Sequence, residues 1–239
     1  MRFYTNVQMV GDNFLVRGYE DGKHFATREK FYPTLFVDSK RKTKYKTLDG
    51  LPVEPIEPGT VRDCREFIKK YNEVENFNVY GNERFIYQYI SSKYPEVEVK
   101  FDIEQIKLTT IDIEVKSEYG FPDVESCAEE ILLITLQDYT TKQIRTWGLG
   151  GFNNKQENVI YKSFKTEYEL LNDFINWWMI EDNTPEVITG WNSKLYDIPY
   201  LCRRIDRILG EKLKKRMSPW GLVTEEETFI AGRKHISYD

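Results

Sequence analysis

The sequence predicts an α/β protein, α+β overall: a β-rich first domain over residues 1–102, followed by a second domain over residues 103–239 in which strands give way to helices. Three observations carry this. A run of short β segments broken by turn residues fills the first 37 positions. Near residue 100, after Pro95, the pattern changes to longer segments with period-two alternation and then to apolar residues at helical spacing. The chain has 239 residues, enough for two domains of ordinary size.

The first domain opens with FYTNVQMV, a turn at Gly11-Asp12-Asn13, FLVRGYE, a turn at Asp21-Gly22, and HFATREKFY. An Asp-Gly pair between alternating segments is a strong hairpin signal, so a meander is expected. After Lys40-Arg41-Lys42 and the proline-punctuated LPVEPIEPG, Thr60 with Asp63 three residues on reads as a capping box. The helix it opens puts Val61, Cys64, Ile68 and Tyr71 on one face. Residues 77–80 and 84–90 read as further strands.

In the second domain KLTTIDIEV, residues 107–115, alternates: Ile111, Ile113 and Val115 point one way, Thr110, Asp112 and Glu114 the other. ILLITLQDY and QIRTWGL, separated by Tyr139-Thr140-Thr141-Lys142, give two more strands and an antiparallel start to a sheet. A helix follows from Thr166, capped with Glu169 and carrying Leu170, Leu171, Phe174, Trp177 and Trp178 on a broad apolar face. Then come a short strand, EVITGW, and a helix opened by Asp197 and Pro199 with Leu201, Ile205, Ile208 and Leu213 inward. The order β-β-β-α-β-α is that of a ribonuclease H-like sheet. ETFIAGRKHISYD closes the chain as strand, turn, strand.

Composition narrows the function classes. A net charge of −5 is unlike a non-specific nucleic-acid coat, yet it is compatible with an enzyme that gathers carboxylates around divalent cations. Aromatic residues make up 15% of the chain, which serves a core first and base-stacking platforms second. Cys64, Cys127 and Cys202 form no CxxC pair, so neither a disulfide framework nor a zinc knuckle is expected, and a reducing cytoplasmic setting fits. No signal peptide and no apolar run of about 20 residues is present, so no membrane partner is expected.

Two segments carry chemistry. Asp112 and Glu114, two apart on a strand, project from one face, a geometry that hard cations can bridge. A bare D-x-E more often marks a solvated strand face. On a sheet covered on both faces, however, two adjacent acids need pairing or metal. The second segment is ITGWNSKLYDIPYL, residues 188–201, at a strand-to-helix junction. There Asp197 by itself reads as a helix cap and Asn192 as a turn residue. With the first-strand acids they form a plausible metal site. His24 and His235 read as structural or surface residues.

TTIDIEV and ITGWNSKLYDIPYL resemble the first and second exonuclease motifs of family B DNA polymerases, D-I-E and N-x(2–3)-[FY]-D. FYPTLF, IDIEV followed by GFPD, and FIAGRKHISYD resemble the polymerases of T-even-like phages, and the similarity runs along essentially the whole chain. The resemblance implies an N-terminal domain followed by a ribonuclease H-like 3′→5′ proofreading exonuclease domain. It implies Asp112, Glu114 and Asp197 as ligands of two Mg²⁺ or Mn²⁺ ions, and Asn192 and Tyr196 as positioners of the terminal nucleotide. The implied reaction is phosphodiester hydrolysis at a single-stranded DNA 3′ end of a primer-template, in the cytoplasm of a phage-infected host. Phe121 resembles an aromatic that contacts bases near that end; a buried-core role is equally open to it. Gly232 falls at the turn of a family β-hairpin whose Arg233 and Lys234 would meet phosphates, or would simply form a surface turn.

The family's third motif, Y-x(3)-D, has no match after Asp197, and the palm motifs are missing. The exonuclease domain is therefore expected to be incomplete, weak alone, and completed by a C-terminal polymerase portion, whether through a split gene or a shortened polypeptide. Two rivals remain. A free-standing DnaQ-like nuclease would need a His-x(4)-Asp or Tyr-x(3)-Asp motif on a last helix. A non-catalytic module would bind single-stranded nucleic acid, including RNA, through the first domain's aromatics and Lys40-Arg41-Lys42-Thr43-Lys44.

Overall fold

A computed structural model describes residues 1–238 except 82, 96, 97 and 119, and excludes the side chain of Arg233. Two compact units divide after Gln105.

In the first unit β1 (Arg2–Val10), β2 (Asn13–Glu20) and β3 (Lys23–Lys30) form an antiparallel meander. The β2–β3 turn needs left-handed backbone at both central residues; Asp21 sits at φ +48° and Gly22 at φ +80°, matching the right-handed twist of the strands. A second sheet of β4 (Leu35–Asp38), β5 (Tyr45–Lys46), β6 (Pro52–Ile56) and, after a helix, β7 (Val79–Tyr80) has the order β5-β6-β4-β7. That helix, α1 (Val61–Tyr71), starts with the reciprocal Thr60–Asp63 capping box and buries Val61 and Cys64.

Residues 84–90, expected as a strand, instead lie largely in α2 (Phe85–Lys93). FIYQYI alternates like a strand, but Phe85 and Tyr89 are also four apart. As a helix both enter the core, and Tyr89 stacks on Phe14 at 4.7 Å between ring centroids. Tertiary packing decides between the two periods.

In the second unit β8 (Leu108–Val115), β9 (Ile131–Asp138) and β10 (Ile144–Leu149) are antiparallel neighbours. A strand missed in the sequence, β11 (Val159–Phe164), joins parallel to β10 at one edge after the Gly150-Gly151 loop. At the other edge, beyond α3 (Glu167–Trp178), β12 (Val187–Thr189) runs parallel to β8. The order is β11-β10-β9-β8-β12. The chain continues through α4 (Asp197–Leu209), α5 (Glu211–Lys214) and a hairpin of β13 (Glu225–Ile230) and β14 (Arg233–Tyr238). Gly210, at φ +92°, separates α4 from α5, so Leu213 belongs to the shorter helix.

The core of this unit lies between the sheet and α3 and α4: Ile111, Ile113, Ile134 and Trp147 pack with Leu170, Phe174, Trp178 and Leu201. Burying each such side chain contributes about 1.5–3 kcal/mol. The alternation that sends Ile111 and Ile113 inward leaves Asp112 and Glu114 on the opposite face. Both are exposed there, where a sheet covered on both sides was expected.

Candidate active site

The site begins where β12 stops. Only Val187, Ile188 and Thr189 pair with β8, opposite Leu108, Thr109 and Thr110. Beyond that point Gly190 lies against the β8 backbone; a Cβ there would sit 2.5 Å from the Ile111 carbonyl oxygen. The chain then turns at Asn192, whose φ of +60° Asn tolerates better than most residues and whose carbonyl accepts from the amides of Leu195 and Tyr196, each at 3.0 Å.

This turn starts α4 beside the part of β8 that β12 has left uncovered. Asp197, in the first turn of α4 and 3% exposed, accepts the amide of Ile113 at 3.1 Å through its Oδ1. A carboxylate thus occupies the position a neighbouring strand would have filled, and the helix N-terminus favours its charge. Burial nevertheless pushes the Asp197 carboxyl above its ordinary value, against the Ile113 amide and its own amide, which lower it; the Asp112 and Glu114 carboxylates push it up further. Acids from two segments 84 residues apart therefore sense one another electrostatically.

Buried polar contacts fix α4 in this position. Arg204, 4% exposed, donates from Nε to Glu167 Oε1 at 2.8 Å and from Nη2 to Oε2, and reaches the Cys127 and Ala128 carbonyls at 3.1 Å each. The Tyr200 hydroxyl donates to the Glu129 carbonyl at 2.8 Å.

Next to the acids is a cleft of about 390 Å³ whose lining includes Phe121, Asn192, Leu195, Tyr196, Lys234 and His235. Phe121 and Lys234, expected from separate segments, are therefore brought together with Asn192 and Tyr196. Phe121 is 82% exposed, which removes the buried-core alternative; its ring lies 4.8 Å from that of Tyr196. Burial pushes the Tyr196 phenol up to about 12, with Asp197 adding to the effect. Lys234 is held between Glu125 Oε1 at 3.0 Å and Glu227 Oε1 at 2.6 Å, and these carboxylates raise its pKa. It is already paired rather than presented alone to a phosphate. The side chain of Arg233 lies outside the described residues. Sequence reasoning did not place Glu125 or His235 at this cleft; the position of Glu125 four residues after Phe121 in GFPDVE was the available signal for the former.

Carboxylates accept only, and an oxygen donor set of this kind suits Mg²⁺ or Mn²⁺. As they stand, no three His, Cys, Asp or Glu side chains among the described residues gather into a metal-holding group. Among the described residues no helix is long and apolar enough to cross a membrane.

A five-stranded mixed sheet with acids on β8, the strand next to its β12 edge, and a further acid at the helix after the parallel strand β12 defines a ribonuclease H-like domain of the exonuclease class. The profile of DNA polymerase family B, exonuclease domain, matches residues 61–238. The DNA-directed DNA polymerases of Enterobacteria phage T4 and Escherichia phage RB69 are 30% and 31% identical over 92% and 91% of this chain. The DNA polymerase catalytic subunit of human herpesvirus 6A is 34% identical over 41% of it and is covered to 10% of its own length. The chain belongs to the family B DNA polymerases, through their exonuclease domain. It spans about a quarter, 27%, of the length of the two phage relatives. The exonuclease domain of this family is generally metal-dependent.

Proposed function

We propose that residues 106–239 carry a proofreading 3′→5′ exonuclease site acting on a single-stranded DNA 3′ end, with Asp112, Glu114 and Asp197 as its carboxylates. The observation that carries this is the convergence of Asp197 on the acid-bearing strand, beside a cleft with an exposed aromatic. Two divalent cations, Mg²⁺ or Mn²⁺, would when bound activate water and stabilise the leaving 3′ oxygen. The chain's own residues do the rest. Asp112 and Glu114 offer oxygens from an exposed face, while Asp197 is oriented by the Ile113 amide. Phe121 and Tyr196 give unpaired bases a surface to stack on, and the Asn192 amide can both donate and accept. Lys234 meets a phosphate only by exchanging it for a carboxylate.

On this reading, the DNA synthesis named for the relatives belongs to polypeptide other than these 239 residues. That polymerase portion would be the unit's protein partner, primer-template DNA its substrate, and the host cytoplasm its place of action.

Mn²⁺ titration followed by electron paramagnetic resonance tests the carboxylate set directly, alongside nucleotide release from a 5′-labelled single-stranded oligonucleotide. Asp112→Ala should weaken Mn²⁺ uptake by about tenfold or more, since even outer-shell partners act on that scale. Equal uptake by wild type and variant would remove the assignment.

A further inference from the structure

The first unit holds a second feature that the exonuclease reading does not use. From the end of β4 through β5 the chain reads Lys40-Arg41-Lys42-Thr43-Lys44-Tyr45-Lys46, and the side chains of Lys40, Arg41, Lys42, Lys44 and Lys46 are all exposed. None of the five forms an ion pair among the described residues. The strip is nonetheless tied down. The Ser39 amide donates to the Pro52 carbonyl at 3.0 Å, and the Thr43 hydroxyl donates to the Val53 carbonyl at 2.7 Å. Lys44 Nζ lies 4.9 Å from the centroid of the Tyr45 ring, but no carboxylate among the described residues neutralises the strip; like charges held side by side in this way repel one another, and a polyanion relieves that repulsion.

The strip runs into a cleft of about 670 Å³ lined by Phe36, Tyr45, Lys46, Leu48, Asp49 and Tyr80, among others. That volume lies within the roughly 300–1,000 Å³ of clefts that hold small ligands. Two aromatic walls are fixed: Phe36 and Tyr45 lie 5.2 Å apart, and the Tyr80 hydroxyl donates to Asp38 Oδ1 at 2.8 Å. Leu48 at the cleft is 108% exposed, an apolar side chain with no cover of its own. Cations alone would attract any polyanion. Cations beside an aromatic cleft select one that also carries flat apolar groups.

We propose that this strip and cleft form a second binding site, for single-stranded DNA, in which one unpaired base stacks on Tyr45 inside the cleft. The flanking phosphates meet Lys42, Lys44 and Lys46. A base within a duplex cannot enter, because its faces are already stacked. Stacking of this kind is tolerant of sequence, so no base preference is expected. The choice of DNA over RNA rests on the reading proposed above; the site itself does not.

Fluorescence anisotropy of a labelled oligothymidylate of about twelve nucleotides, added to the whole 239-residue protein in EDTA so that nothing is hydrolysed, tests the proposal. Tyr45→Leu keeps apolar bulk and loses the ring; it should weaken binding about tenfold without changing the salt slope. The exposed triple variant Lys42→Ala/Lys44→Ala/Lys46→Ala should reduce the slope of log K against log salt by about 2, at roughly 0.7 per phosphate contact for single strands. The Tyr45→Leu effect should persist in a Phe121→Ala background, which separates this site from the exonuclease cleft. Binding of Tyr45→Leu equal to wild type would overturn the proposal, as would an oligoglutamate peptide that competes as well as the oligonucleotide. Tighter binding of the matching RNA would overturn the assignment to DNA, leaving the exonuclease reading to its own Mn²⁺ test.

Discussion

Replacing Arg204 by methionine probes the framework that holds Asp197 in place. The guanidinium is 4% exposed and meets Glu167, 5% exposed, with two donors; Glu167 Oε1 also accepts the Ile131 amide at 2.9 Å. Methionine retains much of the packing volume but leaves a buried carboxylate with one amide donor, a change that costs about 3–5 kcal/mol. The Ala128 carbonyl, 3.1 Å from Nη1, loses its guanidinium bond as well, adding about 1 kcal/mol. Arg204→Met/Glu167→Leu removes both charges and leaves the Ile131 amide and the Ala128 carbonyl without these partners, for about 2–4 kcal/mol. The double variant should therefore be more stable than the single one. All five tryptophans lie in the second unit, so urea unfolding followed by tryptophan emission reports on that unit alone. A single variant that loses less than about 1 kcal/mol, or a double variant that loses as much as the single, would refute a buried pair of this strength.

Three further outcomes are expected. The Asp197 pKa is raised in the folded state, so the stability linked to its protonation is complete below the ordinary value of 3.8 and is lost as pH rises through the folded value. Asp197→Asn should accordingly melt higher than wild type at pH 7, with the gap closing below pH 3.8; melts at a series of pH values check this. Gly190→Ala, whose Cβ would lie 2.5 Å from the Ile111 carbonyl oxygen, should cost about 1–3 kcal/mol in the same urea titration, and an unchanged midpoint would show that the turn moves freely. Phe121→Ala, at a side chain 82% exposed, should leave stability within about 0.5 kcal/mol. Quenching of Trp191 emission by single-stranded DNA should meanwhile weaken about tenfold, and full retention of affinity would remove Phe121 from the cleft's function.

Local rules made much of this legible. The Thr60–Asp63 and Thr166–Glu169 caps depend on residues three apart, and period-two alternation put Asp112 and Glu114 on one face. What escaped depended on partners distant in sequence. FIYQYI supports two periods, and contacts distant in sequence, with Phe14, Phe31 and the Thr34 backbone, go with the helix. VIYKSF is half-buried at an edge, so it lacks both the continuous apolar run of a central parallel strand and clean alternation. At the site, Asn192, Tyr196 and Asp197 stood out through family likeness. The burial of Asp197 is set by Ile113, and the pairing of Lys234 by Glu125, 109 residues away.

Topology explains why the acids meet at this point. β8 and β12 run parallel and both end toward the same side, and crevices in mixed sheets open beyond such carboxyl ends. Had β12 continued past Thr189, the Ile113 amide would have bonded to a strand carbonyl, and no side chain from α4 could have reached it. Its early stop, the close approach of Gly190 and the left-handed turn at Asn192 together bring Asp197 into the gap. The result opposes stability, because a carboxyl is buried next to two others of like charge. A divalent cation would reverse that balance by favouring all three ionised forms at once. Mn²⁺ should therefore raise the melting temperature of wild type and leave Asp197→Asn nearly unmoved; equal shifts in both would mean that the buried acid has another purpose.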